Sequence, residues 1–227
     1  MGFDWHKSSQ LQWNSMSQQW NQNSEEMWES GSRKTIIPLF SKYINPASGM
    51  ILDAGCGDGY GTMMLGKLGF HVMGMDLSEE MVTKAKERIT PDINIEFHQG
   101  DIISMPFGPE AFSGILSINC LEWVQSPLAA LCELKRVLQK DGILCLGVLG
   151  PTAAPRQHSY KRLYGEKVVC NTMMPWEFAR LAEENGFAIL EGQGVYKRGV
   201  DEKLLGSLSE ELKQALTFLW IFIMQKK

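Results

Sequence analysis

The chain has 227 residues, of which 44% are hydrophobic and 21% are charged, a composition typical of globular proteins rather than of disordered chains. It contains 22 basic and 26 acidic residues, which give a formal charge of −4. Because there is no basic surplus to neutralise phosphates, this balance argues against a nucleic-acid-binding protein and against attachment to an anionic membrane.

The cysteines and the N-terminal segment bear on the location of the protein. The five cysteines form no C-x-x-C pair, so neither a zinc site nor a disulfide framework is indicated. The N-terminus lacks the basic region and apolar run of a signal peptide. The most apolar stretch, residues 216–224, is too short to cross a bilayer as a helix. We therefore expect a cytoplasmic protein with reduced thiols and no membrane attachment.

Residues 1–45 are expected to form an N-terminal helical cap. This segment is rich in Gln, Asn and Ser, and it contains four of the seven tryptophans. Trp13, Met16 and Trp20 follow the spacing i, i+3, i+7, which predicts a polar helix with one aromatic stripe. Such a stripe either docks on the core or covers a bound ligand, and the sequence leaves both possibilities open. A second helix, kinked by a proline, is predicted over residues 33–44.

From residue 50 onward, short apolar runs alternate with amphipathic stretches. The apolar runs predict strands at 50–53, 70–75, 93–98, 112–118 and 142–149. The stretches between them predict helices at 60–68, 78–89 and 127–139. Strands and helices that alternate at this spacing are typical of βαβ units, which build a parallel sheet with helices on both faces.

The last third of the chain interrupts this alternation. Residues 150–172 contain two prolines and several aromatic residues, and we expect an insertion that caps the sheet. The remaining segments predict a helix, a strand, a helix and a strand, at 175–185, 187–196, 209–215 and 217–224. A short connection would make the two closing strands an antiparallel hairpin. The expected result is a single domain of residues 1–227, with a doubly wound, seven-stranded α/β sheet whose last strand is antiparallel.

The segment between the first strand and its helix carries the most informative motif. It reads D-A-G-C-G-D-G over residues 53–59, and it lies where open α/β sheets usually bind a cofactor. Gly55 and Gly57 allow a tight turn and a close approach of a ligand to the backbone. The G-x-G-x-x-G fingerprint of dinucleotide-binding proteins fails, because positions 60 and 62 are Tyr60 and Thr62.

Acidic residues follow the first three strands. A carboxylate at Asp53 would repel a phosphate and attract an ammonium group. Asp76 lies 23 positions after Asp53, close to the spacing at which an acidic residue meets ribose hydroxyls. Asp101 suits the amino group of an adenine, and Ile102 suits its face. These residues together indicate a ligand with an amino-acid end, a ribose and an adenine, but no phosphate.

These motifs resemble those of the class I S-adenosylmethionine-dependent methyltransferases. Within that class the chain is similar to the small-molecule group typified by the enzymes of ubiquinone and menaquinone biosynthesis. The resemblance covers residues 33–150. Its motifs are D-x-G-x-G-x-G at 53–59, M-D-L-S at 75–78, G-D-I at 100–102, I-N-C-L-E-W at 118–123 and L-K-R-V-L-Q-K-D-G at 134–142.

The resemblance implies a Rossmann-like fold, S-adenosylmethionine as the cofactor and S-adenosylhomocysteine as its product. It implies that the first motif holds the methionine moiety, that the second binds the ribose and that the third flanks the adenine. It also implies that position 119 faces the methionine end. The implied cofactor-binding residues are Asp53, Gly55, Cys56, Gly57, Asp76, Leu77, Asp101, Ile102 and Asn119.

The sequence after the fourth strand bears on the methyl acceptor. Residues 119–122 read N-C-L-E, which differs from the N/D-P-P-Y/F signature of enzymes that methylate DNA adenine or protein glutamine. They also lack the Pro-Cys nucleophile of cytosine methyltransferases. We therefore expect a small-molecule acceptor, methylated by in-line displacement at the sulfonium. Two alternatives are a non-catalytic module that retains the cofactor pocket and an NAD(P)-dependent oxidoreductase, which the broken dinucleotide fingerprint disfavours.

Candidates for the acceptor site rest on weaker signals. His158 is a candidate base and Tyr164 lies in the same insertion, but a solvated loop also explains them. Trp20, Trp123 and Asn171 are candidate pocket residues, although packing alone would also explain each of them. The sequence shows no cluster of His, Asp and Glu with ligand spacing, so we expect no catalytic metal.

Overall fold

A seven-stranded sheet forms the centre of the computed structural model, which describes residues 2–227. Its strands are β1 (Ile51–Ala54), β2 (Val72–Asp76), β3 (Ile95–Gln99), β4 (Phe112–Ile118), β5 (Leu138–Leu149), β6 (Phe187–Tyr196) and β7 (Thr217–Lys226). Each of the seven predicted strands is therefore present.

The strand order is β3-β2-β1-β4-β5-β7-β6. Strand β7 pairs antiparallel with both β5 and β6, whereas the other neighbouring pairs are parallel. This arrangement confirms the predicted doubly wound α/β fold with an antiparallel last strand. The order of the strands reverses between β1 and β4, which is where a ligand crevice opens at the carboxyl ends of such a sheet.

Helices cover both faces of the sheet. They are α1 (Trp5–Glu29), α2 (Ile36–Phe40), α3 (Tyr60–Lys67), α4 (Glu79–Lys86), α5 (Pro127–Val137), α6 (Pro175–Glu184) and α7 (Glu210–Ala215). Alternate residues of β1 point to opposite layers, because Ile51 packs with buried residues of α2, α3 and α4, whereas Leu52 and Ala54 pack with those of α5 and α6. Every residue of β1 is buried, as expected for the centre of a parallel sheet.

Two expectations were wrong, one about the length of a helix and one about the connection between the closing strands. The predicted helix over 33–44 is reduced to α2 and flanking turns. Pro38 is tolerated there because the first turn of a helix does not need its missing N–H. The two closing strands are not joined by a short connection, because residues 197–216 contain a 3-10 helix and α7. Strand β7 then enters the sheet between β5 and β6.

The two segments predicted to cap the sheet have the following structure. Residues 2–45 contain α1 and α2, and the stretch 150–172 contains a long 3-10 helix, Ala154–Tyr164. Across residues 2–227, none of the helices has the combined length and apolar character that crossing a membrane would require.

Candidate functional site

A cavity of about 790 Å³ lies beyond the carboxyl ends of β1 to β4 and under α1. Eight of the nine residues predicted to bind a cofactor line it, namely Gly55, Cys56, Gly57, Asp76, Leu77, Asp101, Ile102 and Asn119. We call it the first cavity.

The glycine turn after β1 forms the floor of the first cavity. Gly55 has a φ of +78°, and a Cβ there would lie 2.6 Å from the sulfur of Cys120, so a larger residue fits neither the backbone nor the space. The N–H groups of Gly55 and Cys56 donate to the carbonyl of Met75, at 2.8 and 3.0 Å. The turn is therefore fixed to the end of β2 by backbone hydrogen bonds.

Asp76, the last residue of β2, organises the middle of the first cavity. Its Oδ2 accepts a hydrogen bond from the Gly57 N–H, and its Oδ1 accepts one from the Ser78 N–H, both at 2.9 Å. Burial raises the pKa of Asp76, and these backbone donors oppose the rise. Each carboxylate oxygen has a further lone pair with which it can accept a hydrogen bond from a ligand hydroxyl.

Asp53 is the one predicted cofactor residue that does not line the first cavity. It is 4% exposed, and its Oδ2 accepts a hydrogen bond of 2.6 Å from the Thr62 hydroxyl. Burial raises the pKa of Asp53 to about 7. The carboxyl group therefore lies in the protein interior under the glycine turn. It does not contact a ligand in the first cavity.

The end of the cavity near β3 is closed by the first turn of α1. Nδ1 of His6 lies 2.6 Å from Oδ2 of Asp101, whose Oδ1 accepts a hydrogen bond from the Ile103 N–H. Ile102 is buried and Leu77 also lines this part of the site. The combination of one carboxylate with two aliphatic side chains suits a flat heterocycle that carries an amino group.

Arg33 is a cavity residue that the sequence analysis missed. It is buried, with its guanidinium carbon 4.7 Å from the ring centroid of Trp20 and 5.3 Å from that of Trp28. Its Nη2 donates to Oδ1 of Asn119 at 3.3 Å. Burial lowers the pKa of Arg33 to about 10, so the group stays charged at neutral pH. The only sequence signal was the basic pair Arg33-Lys34 after the tryptophan-rich segment.

Helix α1 lies over the site, and polar contacts hold it against the carboxyl end of the sheet. Nε1 of Trp5 donates to the carbonyl of Trp123 at 2.7 Å, and the hydroxyl of Ser78 donates to Oδ1 of Asn14 at 2.6 Å. The predicted stripe continues this contact, because the ring of Trp13 lies edge-on to both Trp20 and Trp123, at 5.4 Å in each case. Trp13 and Trp20 of the stripe therefore form part of the wall of the first cavity.

A second cavity of about 620 Å³ adjoins the first, and we call it the second cavity. Five residues line both of them, namely Trp13, Trp20, Arg33, Asn119 and Trp123. His158 lines the second cavity only, with its ring 6.2 Å from the Trp123 ring. The insertion after β5 therefore contributes to this part of the site.

Two candidate acceptor residues lie outside both cavities. Tyr164 is 71% exposed, and its hydroxyl is 3.4 Å from that of Tyr160. The amide of Asn171 donates to the carbonyls of Leu121 and Val124, at 2.6 and 2.9 Å. Asn171 therefore holds the segment after the insertion against the turn that follows β4, which is a structural position rather than one facing a ligand.

Comparison with known proteins identifies one domain of the chain. Residues 52–146 match the family model described as "Methyltransferase domain". These residues form a class I S-adenosylmethionine-dependent methyltransferase domain. The cofactor of such a domain is S-adenosylmethionine.

Relatives and one solved structure extend the comparison. The chain is 34% identical to demethylmenaquinone methyltransferase of Chlamydia felis over 49% of this chain and 46% of the relative. It is 30% identical to malonyl-[acyl-carrier protein] O-methyltransferase of Erwinia pyrifoliae over 57% of this chain and 47% of the relative. The chain thus spans less than half the length of these two relatives.

A chain in the structure titled "Complex between the Haloferax volcanii Trm112 methyltransferase activator and the putative methyltransferase" shares the fold of this chain. The TM-score is 0.69 with 18% identity, and the match covers 94% of this chain and 96% of the other. This likeness shows a common fold alone. Because it covers 94% of this chain, it extends beyond the residues that match the methyltransferase family model.

The first cavity fits the cofactor of the methyltransferase domain. Asp76 offers carboxylate oxygens at the carboxyl end of β2, and Ile102 and Leu77 offer an apolar slot. Arg33 supplies a buried positive charge whose one protein hydrogen bond, among residues 2–227, is to Asn119. The cavity thus offers partners for ribose hydroxyls, for adenine and for a carboxylate.

Across the described residues, no group of three or more His, Cys, Asp or Glu is placed to hold a metal.

Proposed function

We propose that this protein transfers a methyl group from S-adenosylmethionine to a small-molecule acceptor, as a single domain of residues 1–227. The observation that carries the proposal is the first cavity, where the predicted cofactor-binding residues other than Asp53 line one space at the switch point of the sheet. The names of the two relatives, which denote methylation of demethylmenaquinone and of malonyl-[acyl-carrier protein], support a transferase activity.

Each part of the first cavity has a proposed role in holding the cofactor. Asp76 accepts hydrogen bonds from the ribose hydroxyls, while Leu77 and Ile102 pack against the adenine. Arg33 holds the carboxylate of the methionine moiety, because a buried guanidinium with free N–H donors binds a carboxylate strongly. The glycine turn at residues 55–57 lets the backbone approach that moiety.

The reaction needs little from the protein beyond position and a dry environment. When bound, S-adenosylmethionine supplies a methyl group on a positively charged sulfur. Positioning of the two reactants is worth roughly 7–11 kcal/mol in favourable cases. Helix α1 and the aromatic residues Trp13, Trp20 and Trp123 would exclude water from the space between the cavities. The nearby carboxyl groups, with Asp58 first and Asp53 and Glu122 after it, favour the charged form of Arg33, which lies close to this space.

A calorimetric titration with S-adenosylhomocysteine tests the proposal. The folded chain should bind this product in the micromolar range, and NAD⁺ titrated into the same preparation should give no heat of binding. Binding of NAD⁺ without S-adenosylhomocysteine would support an oxidoreductase instead. Binding of S-adenosylhomocysteine with no methyl transfer to any compound of a metabolite extract would support the non-catalytic module. A cytoplasmic location, expected from the cysteine pattern, is part of the same proposal.

A further inference from the structure

The second cavity has an unusually aromatic and apolar lining. Three tryptophans, one phenylalanine, two methionines, a leucine and a proline line it: Trp13, Trp20, Trp123, Phe218, Met16, Met27, Leu149 and Pro155. Indole rings give a flat apolar ligand large contact surfaces, and stacked or edge-on aromatic pairs add about 0.5–1.5 kcal/mol beyond the burial itself. The lining therefore favours a planar aromatic occupant over a sugar or a flexible polar metabolite.

The charge of the lining limits the occupant further. Among residues 2–227, no aspartate or glutamate lines the second cavity, and its one permanently charged residue is Arg33. The guanidinium already lies over the face of Trp20, where a cationic ligand would otherwise find a cation–π partner. A cationic occupant would find no carboxylate on the lining to pair with, so the cavity favours a neutral or anionic ligand.

Two hydrogen-bond donors of the lining residues lack partners. Nε1 of Trp123 and Nε2 of Gln12 are buried and have no hydrogen-bond partner within the described chain. A buried unsatisfied donor costs about 1–3 kcal/mol, which an oxygen-bearing ligand would recover. Both atoms are donors, so they select for oxygen acceptors such as hydroxyl, phenolate or carbonyl groups.

His158 provides a proton acceptor on the same cavity. It lines the second cavity but not the first, and its ring lies edge-on to Trp123, which lines both. A neutral imidazole beside a ligand hydroxyl can take its proton. The acceptor would then meet the methyl group at the wall shared by the two cavities.

We infer that the second cavity binds a planar hydroxyaromatic acceptor, neutral or anionic, and that His158 takes its hydroxyl proton; this inference rests on the proposed methyltransferase function. The acceptor's oxygen forms a bond to the methyl carbon while the carbon–sulfur bond breaks. The electron pair of that bond stays on the sulfur, which leaves a neutral thioether. The hydroxyl proton moves to the imidazole of His158 and from there to solvent.

Binding to the S-adenosylhomocysteine-loaded protein tests the ligand class. The probes are 2-naphthol, its saturated counterpart decahydro-2-naphthol and the cationic 1-naphthylmethylamine, each titrated by calorimetry. We expect 2-naphthol to bind at least fivefold more tightly than either of the others, since about 1 kcal/mol separates aromatic from purely apolar contact. Equal or tighter binding of the saturated alcohol or of the amine would overturn the inference.

A pair of variants locates the binding site. Met16→Trp places a larger side chain on a residue that lines the second cavity only, and should abolish 2-naphthol binding while S-adenosylhomocysteine still binds. Leu11→Trp makes a comparable change on the same helix at a position that is 59% exposed, and should leave both titrations unchanged. If the unmodified protein does not bind S-adenosylhomocysteine, the methyltransferase proposal is wrong. If it binds S-adenosylhomocysteine but not 2-naphthol, only this inference is wrong.

The pH profile of methyl transfer to 2-naphthol tests His158. His158→Gln should lower turnover at neutral pH by about 10²-fold or more, the usual contribution of a general base. The deficit should shrink as the pH approaches about 10, where a phenolic hydroxyl ionises and no base is needed. A deficit of the same size at every pH, or no methylation of bound 2-naphthol by the unmodified protein, would overturn the assignment.

Discussion

The guanidinium carbon of Arg33 lies 4.7 Å from the ring centroid of Trp20, and both residues line both cavities. The pair therefore belongs to the wall that separates the proposed cofactor from the proposed acceptor. The cation is held by aromatic faces and by one hydrogen bond to Asn119 rather than by a direct ion pair. Its N–H groups are thus available to an anionic group of a ligand.

Arg33→Met should weaken S-adenosylhomocysteine binding at least tenfold, a loss of about 1.4 kcal/mol, because the ligand carboxylate loses its buried cation. Calorimetry of the purified variant measures the change. Arg180→Met is the matched control, because Arg180 is exposed and pairs only with Glu184. Unchanged affinity in Arg33→Met would show that the carboxylate is bound elsewhere.

Asp76→Asn should lower S-adenosylhomocysteine affinity by tenfold or more. The variant keeps the size of the side chain but replaces one acceptor oxygen by a donor, so either a ribose hydroxyl or the Gly57 N–H loses its partner. Asp92→Asn makes the same change on the surface and should bind like the unmodified chain. If both variants bind equally well, the ribose assignment is wrong.

The positions of the strands and the cofactor motifs could be predicted from the sequence because both are local. The turn at residues 55–57 and Asp76 each directly follow an apolar run, and a parallel sheet places the carboxyl ends of its strands at one edge. Arg33 could not be found this way. It reaches the cavity only because α1 and the turns after it fold back over the sheet end.

Side-chain direction explains the remaining differences between the predicted and the observed site residues. Asp53 belongs to the motif, but β1 is buried on both faces, so its carboxyl group points into the core toward Thr62. His158 and Tyr164 lie in one 3-10 helix, yet one lines the second cavity and the other is exposed. An irregular insertion has no periodicity from which the direction of its side chains can be read.

Arg88→Met should destabilise the fold by about 3–5 kcal/mol, because Asp58 is 1% exposed and would lose its buried cation. Arg88 also donates to Asn21 on α1 at 2.8 Å, and the hydroxyl of Ser24 donates to Asp58 at 2.7 Å. The network thus fixes α1 over the cavities. Urea unfolding measures the loss, with Arg180→Met as the control that should cost less than about 1 kcal/mol.

Gly59→Ala should also destabilise the chain, by about 2–4 kcal/mol, through backbone strain and overpacking. Gly59 has a φ of +76°, and a Cβ there would lie 2.7 Å from the Phe97 ring and 2.8 Å from the Ala85 Cβ. Gly206→Ala is the control, because a Cβ there would meet nothing within 4 Å. Equal urea midpoints for the two variants would contradict the tight packing of the turn.

The stability of the ligand-free chain should fall as the pH rises from about 4 to about 7, owing to Asp53. Its carboxyl has an ordinary pKa of 3.8, which burial raises to about 7 in the folded state. Between these values the folded chain binds a proton that the unfolded chain does not, so ionisation on raising the pH costs stability. The full effect is about 4 kcal/mol, reached once the pH exceeds the folded pKa.

Asp53→Asn should remove most of this slope, because the amide has no charge to bury and its oxygen can still accept the hydrogen bond from Thr62. Burial also raises the pKa of Asp76 and Glu122, so a smaller decline in the same direction should remain. Urea unfolding at about pH 5 and about pH 8 measures the difference, with Asp92→Asn as the surface control. If the unmodified chain gains stability over this interval, or if Asp53→Asn keeps the full slope, then the buried carboxyl of Asp53 is ionised throughout and its charge is balanced by Arg33.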